Sequence, residues 1–308
     1  MNILDVKQIN ILNGLWQKAV NIKSKKADFS WHEAVKVLYQ LNIGMEETIQ
    51  YLYYNKPSFE VFLTWVEAKS TKEEETTVAH EQVLSADDLL FWEQNGYIVI
   101  KQAVTEQQCI DAKNAIWQFL DASEYDENSW YKPHPAKKGL MVVFTEHEAL
   151  QRTRNSARIR SAYEQLYKST DIYKTIDKVS FNPPETNQYK FMGSSLHWDV
   201  SLALPIPYKL QGLLYLNDVS EEGGAFQCVP GFHLQIADWM DHVPAGVDPR
   251  SYAISNLKPV SVAGSAGDFI IWHQALPHCA SPNKSKVPRM VQYLTYLPNN
   301  LKEQDKWI

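Results

Sequence analysis

The chain opens with apolar positions at helical spacing. Leu12, Leu15, Trp16, Ala19 and Val20 fall on one face of a helix of 3.6 residues per turn. Ser30, with Glu33 three residues on, has the form of a capping box, and Val35, Leu38 and Leu41 follow as the stripe of a second helix that residues 42–44 would stop. A third helix is predicted over about 45–54, ending before Pro57, and Ser58 caps a fourth through Phe62, Trp65 and Val66. The run 69–83, KSTKEEETTVAHEQV, is charged and nearly without large apolar side chains, which makes it a linker. Residues 1–68 are therefore expected to form a small helical module. Its first reading is a packing or dimerisation appendage, and its alternative is a docking site for substrate or carrier.

After the linker, Ser85 caps a helix through Leu89, Leu90 and Trp92 that Gly96 ends, and YIVIK (97–101) has the β-branched content of a strand. Thr105 and Gln108 open a helix over 106–121 with Ile110, Ile116 and Phe119 apolar. Between about 122 and 175 the pattern is mixed: a Pro- and Lys-rich loop near 131–138 precedes a short strand candidate, LMVVF (140–144). From 176 to 297 short strands alternate with turns, among them KLQGLLYLND (209–218), GAFQCV (224–229), DFIIWH (268–273) and MVQYLTYL (290–297). Helices in front and short strands behind predict an α+β chain built on a β-sandwich or small barrel. Along 209–216, Gln211 and Tyr215 share one face, and Leu210, Leu214 and Leu216 the other. If the first face points inward, Gln211 and Tyr215 line a pocket.

Composition narrows the function classes. At 308 residues, 44% hydrophobic and 21% charged, the chain has the make-up of a globular protein large enough for a full enzyme core, which excludes disordered and collagen-like readings. The net charge of −6, without a basic stripe, lacks the electrostatic footprint of a nucleic-acid partner and leaves small molecules as the expected ligands. Cys109, Cys228 and Cys279 are odd in number and have no CxxC spacing, so a reducing compartment without a disulfide framework is expected. MNILDVKQIN has no basic region leading into an apolar run, and no stretch reaches the ~20 apolar residues of a membrane span. A cytoplasmic protein without a membrane partner is the expectation.

The sharpest local feature is His197-Trp198-Asp199 in SLHWDVSL (195–202). On a strand or its rim, residues i and i+2 point to the same side, so an imidazole and a carboxylate could converge on one metal ion. His278, in GDFIIWHQALPHCASPNKS (267–285), supplies a second imidazole, and Arg289 follows eleven positions later. Two histidines and one carboxylate make the facial triad of non-haem Fe(II), with positions left open for a bidentate 2-oxo acid and dioxygen. Arg289 offers a two-pronged donor for the acid's distal carboxylate. His273, five residues before His278, is the rival ligand; His233 in VPGFH reads as a brace for a turn, and Gly223 with Gly224 as a turn between strands.

In FWEQNGYIVIKQAVTEQQ (91–108), the HWD tripeptide, LNDVSEEGGAFQCVPGFH (216–233), the GD strand and LPHCASPNKS, the sequence resembles the phytanoyl-CoA dioxygenase family of Fe(II)/2-oxoglutarate oxygenases. The resemblance covers about 85–297. It implies a double-stranded β-helix (jelly-roll, cupin-like) core with flanking helices, and a dioxygenase domain over 84–308 behind the N-terminal extension. It also implies His197, Asp199 and His278 as iron ligands, with Arg289 binding 2-oxoglutarate. Trp198 stands where many relatives have Gln, so the mouth of the site differs. Trp198 joins Gln211 and Tyr215 as a candidate for the substrate pocket, although on a strand it would point away from its two neighbours. Where many relatives have a small hydroxyl residue two positions after the distal His, this chain has Ala280 and then Ser281, which makes Ser281 a further candidate contact for the co-substrate. Halogenases of this scaffold replace the carboxylate that Asp199 retains, so hydroxylation of an unactivated C–H bond is the expected outcome. The expected substrate is a small metabolite, with an amino acid or natural-product intermediate favoured, either free or carrier-bound. The competing readings are a Zn hydrolase or isomerase with the same ligands, and a non-catalytic jelly-roll binding protein.

Overall fold

The computed structural model describes residues 4–20, 30–70, 82–301, 304 and 306–308. The chain divides into two compact units. One is helical and comprises the described residues of 1–79 with Tyr173–Ile176, and the other comprises the remainder.

The helical unit contains α1 (Val6–Ala19), α2 (Trp31–Gln40), α3 (Met45–Asn55) and α4 (Phe59–Lys69), close to the spans that the apolar periodicity predicts. Leu12, Leu15, Leu38, Leu52, Phe62 and Val66 form its buried centre, and the Trp16 indole N–H donates to the Pro57 carbonyl. Ser30 caps α2 by accepting from the Glu33 amide at 3.2 Å, but the returning bond of a capping box is not made. The Glu33 carboxylate lies 3.8 Å from Lys7 Nζ instead. A full box closes the start of α1, between Asp5 and Gln8. Most of the expected linker, 71–81, lies outside the described residues.

The larger unit begins with α5 (Ala86–Asn95), closed at one end by the Ser85–Asp88 capping box and at the other by Gly96, whose φ of 72° is the left-handed conformation that ends a helix without a Cβ penalty. Strand β1 (Tyr97–Ile100) and α6 (Glu106–Phe119), the latter opened by the Thr105–Gln108 box, follow as expected. The remaining strands are β2 (Lys137–Lys138), β3 (Met141–Val142), β4 (Ile172–Lys174), of which only Ile172 belongs to this unit, β5 (Val179–Asn182), β6 (Leu210–Tyr215), β7 (Phe226–Cys228), β8 (Val260–Val262), β9 (Phe269–His273), β10 (His278–Ala280), β11 (Arg289–Tyr293) and β12 (Tyr296–Pro298). Seven of them make an antiparallel sheet in the order β1-β9-β6-β11-β5-β3-β2, and three make a second antiparallel sheet, β10-β7-β8. These two sheets are the walls of the expected double-stranded β-helix.

Alternation along β6 shows how the sheet is used. Leu210 and Leu214 face a core shared with Ile116, Ile159, Tyr163 and Phe269, under the helical layer, and Leu213 and Tyr215 face the second core with Phe226, Trp272 and Val291. The five-residue strand expected at 140–144 is only two residues long. Val143 leaves the ladder to donate to Ala136, and Phe144 donates back to Val142. The mixed region hides α7 (Glu148–Arg154) and α8 (Ala157–Tyr167). Ile159, Ala162, Tyr163 and Leu166 form the buried face of α8 at helical spacing.

Candidate active site

His197 and His278 pair as an isolated antiparallel bridge, each donating its amide to the other's carbonyl at 3.0 and 2.9 Å. His197 is thus held at the rim of the second sheet, opposite the first residue of β10, and Asp199 sits in the bend that follows. The i, i+2 convergence expected of a strand is achieved by a single bridge and a bend. Three ligand atoms, one from each of His197, Asp199 and His278, lie within 4.8 Å of one another. The backbone brings them together across 81 positions of sequence.

Hydrogen bonds fix the two rings. His197 Nδ1 lies 2.8 Å from the Ser195 carbonyl, and His278 Nδ1 3.1 Å from the Leu276 carbonyl. A carbonyl only accepts, so each Nδ1 carries the proton and each Nε2 is left toward Asp199, 3.6 Å from Oδ1 for His197 and 3.2 Å from Oδ2 for His278. Two neutral imidazole lone pairs aimed at a carboxylate repel it unless a cation stands among them. This donor set therefore fits a divalent metal, and the backbone partners of the Nδ1 groups are the usual outer support of such ligands. Burial favours neutral His197. Burial alone would raise the Asp199 pKa. Its contacts with His278, the Gln211 amide and His197 overcome it and hold the carboxyl well below the usual carboxylate range, as a metal ligand requires.

The three residues open into a cavity of about 370 Å³ whose walls include Leu140, Met141, Met192, Phe226 and Tyr293, with Gln211 and Arg289 among its polar groups. Gln211 is where its strand face predicts: Nε2 donates to Asp199 Oδ2 at 2.8 Å, and Oε1 receives the Trp272 indole N–H at 3.1 Å. Arg289, 1% exposed at the start of β11, places Nη1 3.3 Å from Ser180 Oγ and leaves Nε without a partner. Among the described residues no carboxylate pairs with it. Asn182 lies opposite Arg289 in the ladder and donates to the Ser281 carbonyl; its own Oδ1 and the buried Ser281 hydroxyl also lack partners. A buried guanidinium without a counter-ion, beside orphaned polar atoms, fits a bound carboxylate.

Two expected pocket residues are elsewhere. Trp198 is 3% exposed and turned away from its neighbours, donating to the Ala275 carbonyl and packing against Phe232 and Trp239. Tyr215 shares a strand face with Gln211 but lies deeper, where its hydroxyl donates to the Val262 carbonyl at 2.8 Å and accepts from the Phe226 amide at 2.9 Å. It joins β6 to β7 and β8 and does not reach the cavity. His273, the rival ligand, also lies off the cavity wall: its Nδ1 accepts from the Ala275 amide, and its ring packs on Tyr208 and His233. His233 places Nε2 3.2 Å from the Glu93 carbonyl. Sequence reasoning missed Asp177, Lys138 and Cys279, all of which line the cavity. For Asp177 the signal was a single acid in the otherwise apolar alternation of TIDKVSF (175–181).

A double-stranded β-helix carrying two histidines and a carboxylate at one rim defines the class of non-haem iron oxygenases. The sequence profile of phytanoyl-CoA dioxygenase (PhyH) matches residues 92–291, and the chain belongs to that family. It is a 2-oxoglutarate-dependent non-haem iron enzyme. A Dictyostelium discoideum protein named "Putative phytanoyl-CoA dioxygenase" is 20% identical over 265 residues, which cover 68% of this chain and 74% of that protein. Among solved structures, the epimerase SnoN, in complex with Fe3+, alpha-ketoglutarate and nogalamycin RO, is 17% identical with a TM-score of 0.50, covering 69% of this chain and 82% of its own. The carbocyclase SnoK from nogalamycin biosynthesis is 19% identical with a TM-score of 0.50, covering 70% and 84%. These structures share the fold. Among the described residues no helix is long and apolar enough to cross a membrane.

Proposed function

We propose that this enzyme hydroxylates an unactivated C–H bond of a small metabolite, with His197, Asp199 and His278 holding Fe(II) and Arg289 anchoring 2-oxoglutarate. The observation that carries the reading is the pairing of two bare Nε2 atoms around Asp199 with a buried, uncompensated guanidinium in one cavity. When bound, iron and its co-substrate supply oxidation of R–H with dioxygen to R–OH, succinate and carbon dioxide. The protein's own residues do the rest. The carbonyls of Ser195 and Leu276 keep both rings in the metal-binding tautomer, Gln211 orients Asp199, and Arg289 presents its fork to the distal carboxylate. Ser281, with its unpartnered hydroxyl beside Asn182, is a second contact for that carboxylate in this reading. The apolar walls exclude water from the reacting carbon.

An amino acid or natural-product intermediate suits a cavity of this size, at the small end of ligand sites. SnoN and SnoK, an epimerase and a carbocyclase on the same fold, make product analysis the discriminating measurement between hydroxylation and other oxidations. The division into a helical module (1–68), linker (69–83) and dioxygenase domain (84–308) belongs to this reading, as does a carrier-docking role for the module. Deletion of 1–68 that removes substrate turnover but leaves 2-oxoglutarate binding intact would favour docking. A cytoplasmic location is part of the same reading, supported by three free cysteines. The test is anaerobic absorption spectroscopy with Fe(II) and 2-oxoglutarate. The weak visible chelate band is expected in wild type, lost in His278→Ala and weakened in Arg289→Ala; its absence from folded wild type sinks the reading.

A further inference from the structure

The cavity holds a second carboxylate that the metal centre does not use. Asp177, two residues before β5, lines the same wall system as His197, Asp199 and His278. One donor among the described residues reaches its carboxylate, the Lys178 amide, 2.8 Å from Oδ1. An ionised carboxylate has about four acceptor positions, so one of them is filled and Asp177 lines the cavity with capacity left over. The Arg154 guanidinium is close, but its Nη2 donates to the Asp177 backbone carbonyl at 3.1 Å, not to the side chain. Lys138, exposed on the cavity wall, makes no ion pair with Asp177 among the described residues. Burial raises the Asp177 pKa above its ordinary value and the charge of Asp199 adds to this, while the Lys178 amide and the charges of Lys178 and Arg154 oppose it.

Charge balance gives this residue a direction. Divalent iron, the Asp199 carboxylate, dianionic 2-oxoglutarate and the Arg289 guanidinium are together neutral, so the loaded centre offers Asp177 no counter-charge. Elsewhere the wall carries Leu140, Met141, Met192 and Phe226, which suit a hydrocarbon body. From this geometry we infer that Asp177 is a substrate-anchoring residue that takes a cationic nitrogen, so the substrate is an amine-bearing small molecule that puts its ammonium on Asp177 and its C–H bond toward the His197–Asp199–His278 rim. The inference rests on the proposed reading of this cavity as the active site. A neutral or acylated nitrogen brings no compensating charge to the desolvated carboxylate, which makes the site selective for the free amine.

The test uses the full-length protein, loaded anaerobically with Fe(II) and 2-oxoglutarate, as wild type, Asp177→Asn and Asp177→Glu. Each is dialysed to equilibrium against the free common amino acids and, separately, against their Nα-acetyl derivatives, and retained ligand is quantified by mass spectrometry. The expected result is at least one free amino acid retained about tenfold or more over its acetyl derivative. That preference disappears in Asp177→Asn and returns in part in Asp177→Glu. No retained free amino acid in wild type, equal retention of the acetylated form, or an undiminished preference in Asp177→Asn overturns the inference. The comparison of free with acetylated ligand on wild type stands even if a variant fails to fold. The chelate band recorded on the same samples separates the two failures. Without the band, the active-site reading itself is lost. With the band and no charge preference, only the role of Asp177 is.

Discussion

Gln211 holds Asp199 from the side, its Nε2 2.8 Å from Oδ2, and is itself held by the Trp272 indole at the other end of the same amide. Because Trp272 can only donate, the amide cannot flip, and the carboxylate has one orientation relative to the two histidines. Gln211→Ala is expected to lower Fe(II) affinity by about 10- to 100-fold without unfolding the chain. Trp272→Phe, which frees the amide to rotate, should shift affinity in the same direction by less. Metal titration of the purified variants measures both, and wild-type affinity in Gln211→Ala would remove Gln211 from the metal's support.

Arg289 is a buried charge that, in the proposed reading, serves a ligand and not the fold. Arg289→Met removes an uncompensated guanidinium and replaces it with an apolar side chain of similar reach, so the melting temperature is expected to hold or rise. Affinity for 2-oxoglutarate should fall by about 100-fold or more, from the loss of a charge-assisted bidentate contact. Titration of the chelate band against 2-oxoglutarate, set beside thermal unfolding, separates the two effects. A variant that melts far lower would make Arg289 structural.

Tyr215 illustrates the opposite case. Tyr215→Phe leaves the Phe226 amide and the Val262 carbonyl without their buried partner, at a cost of about 1–3 kcal/mol each if water does not replace it. Urea unfolding should show a lower midpoint, while metal and 2-oxoglutarate affinities stay near wild type. Loss of binding with unchanged stability would return Tyr215 to the pocket.

Acid sensitivity has an identifiable contributor outside the metal centre. Burial, reinforced by His233, lowers the His273 pKa to about 4 from an ordinary value of 6.5. The unfolded chain therefore takes up this proton first as pH falls, and stability declines between about pH 6.5 and 4, levelling off at this site below the folded value. His273→Gln should flatten that part of the melting temperature against pH in metal-free protein. An unchanged slope would assign the acid sensitivity to other groups.

Local features of the fold were legible because they are decided within a few residues. Ser85 with Asp88, Thr105 with Gln108 and Gly96 mark helix ends by bonds and backbone angles that need no distant partner. The period-two faces of β6 likewise follow from sequence, and Gln211 sits where they put it. Residue types suggested the two histidines, the carboxylate and the arginine, and the family resemblance chose His197, Asp199, His278 and Arg289, with His278 over its rival His273. Depth was not legible: Gln211 and Tyr215 share a face, yet only the arrangement of the second sheet makes one a cavity residue and the other a buried strut.

The sequence by itself determined the helical and strand periodicities and the His197-Trp198-Asp199 tripeptide of the metal centre, since each is a property of neighbours along the chain. Only the tertiary structure decided that two histidines 81 positions apart exchange backbone bonds, that Trp198 turns from the cavity into the core, and that Asp177 lines the cavity. The physical reason is the same in each case. Burial, charge compensation and hydrogen-bond partners are set by what the other strands bring alongside, and that information is spread over the whole chain.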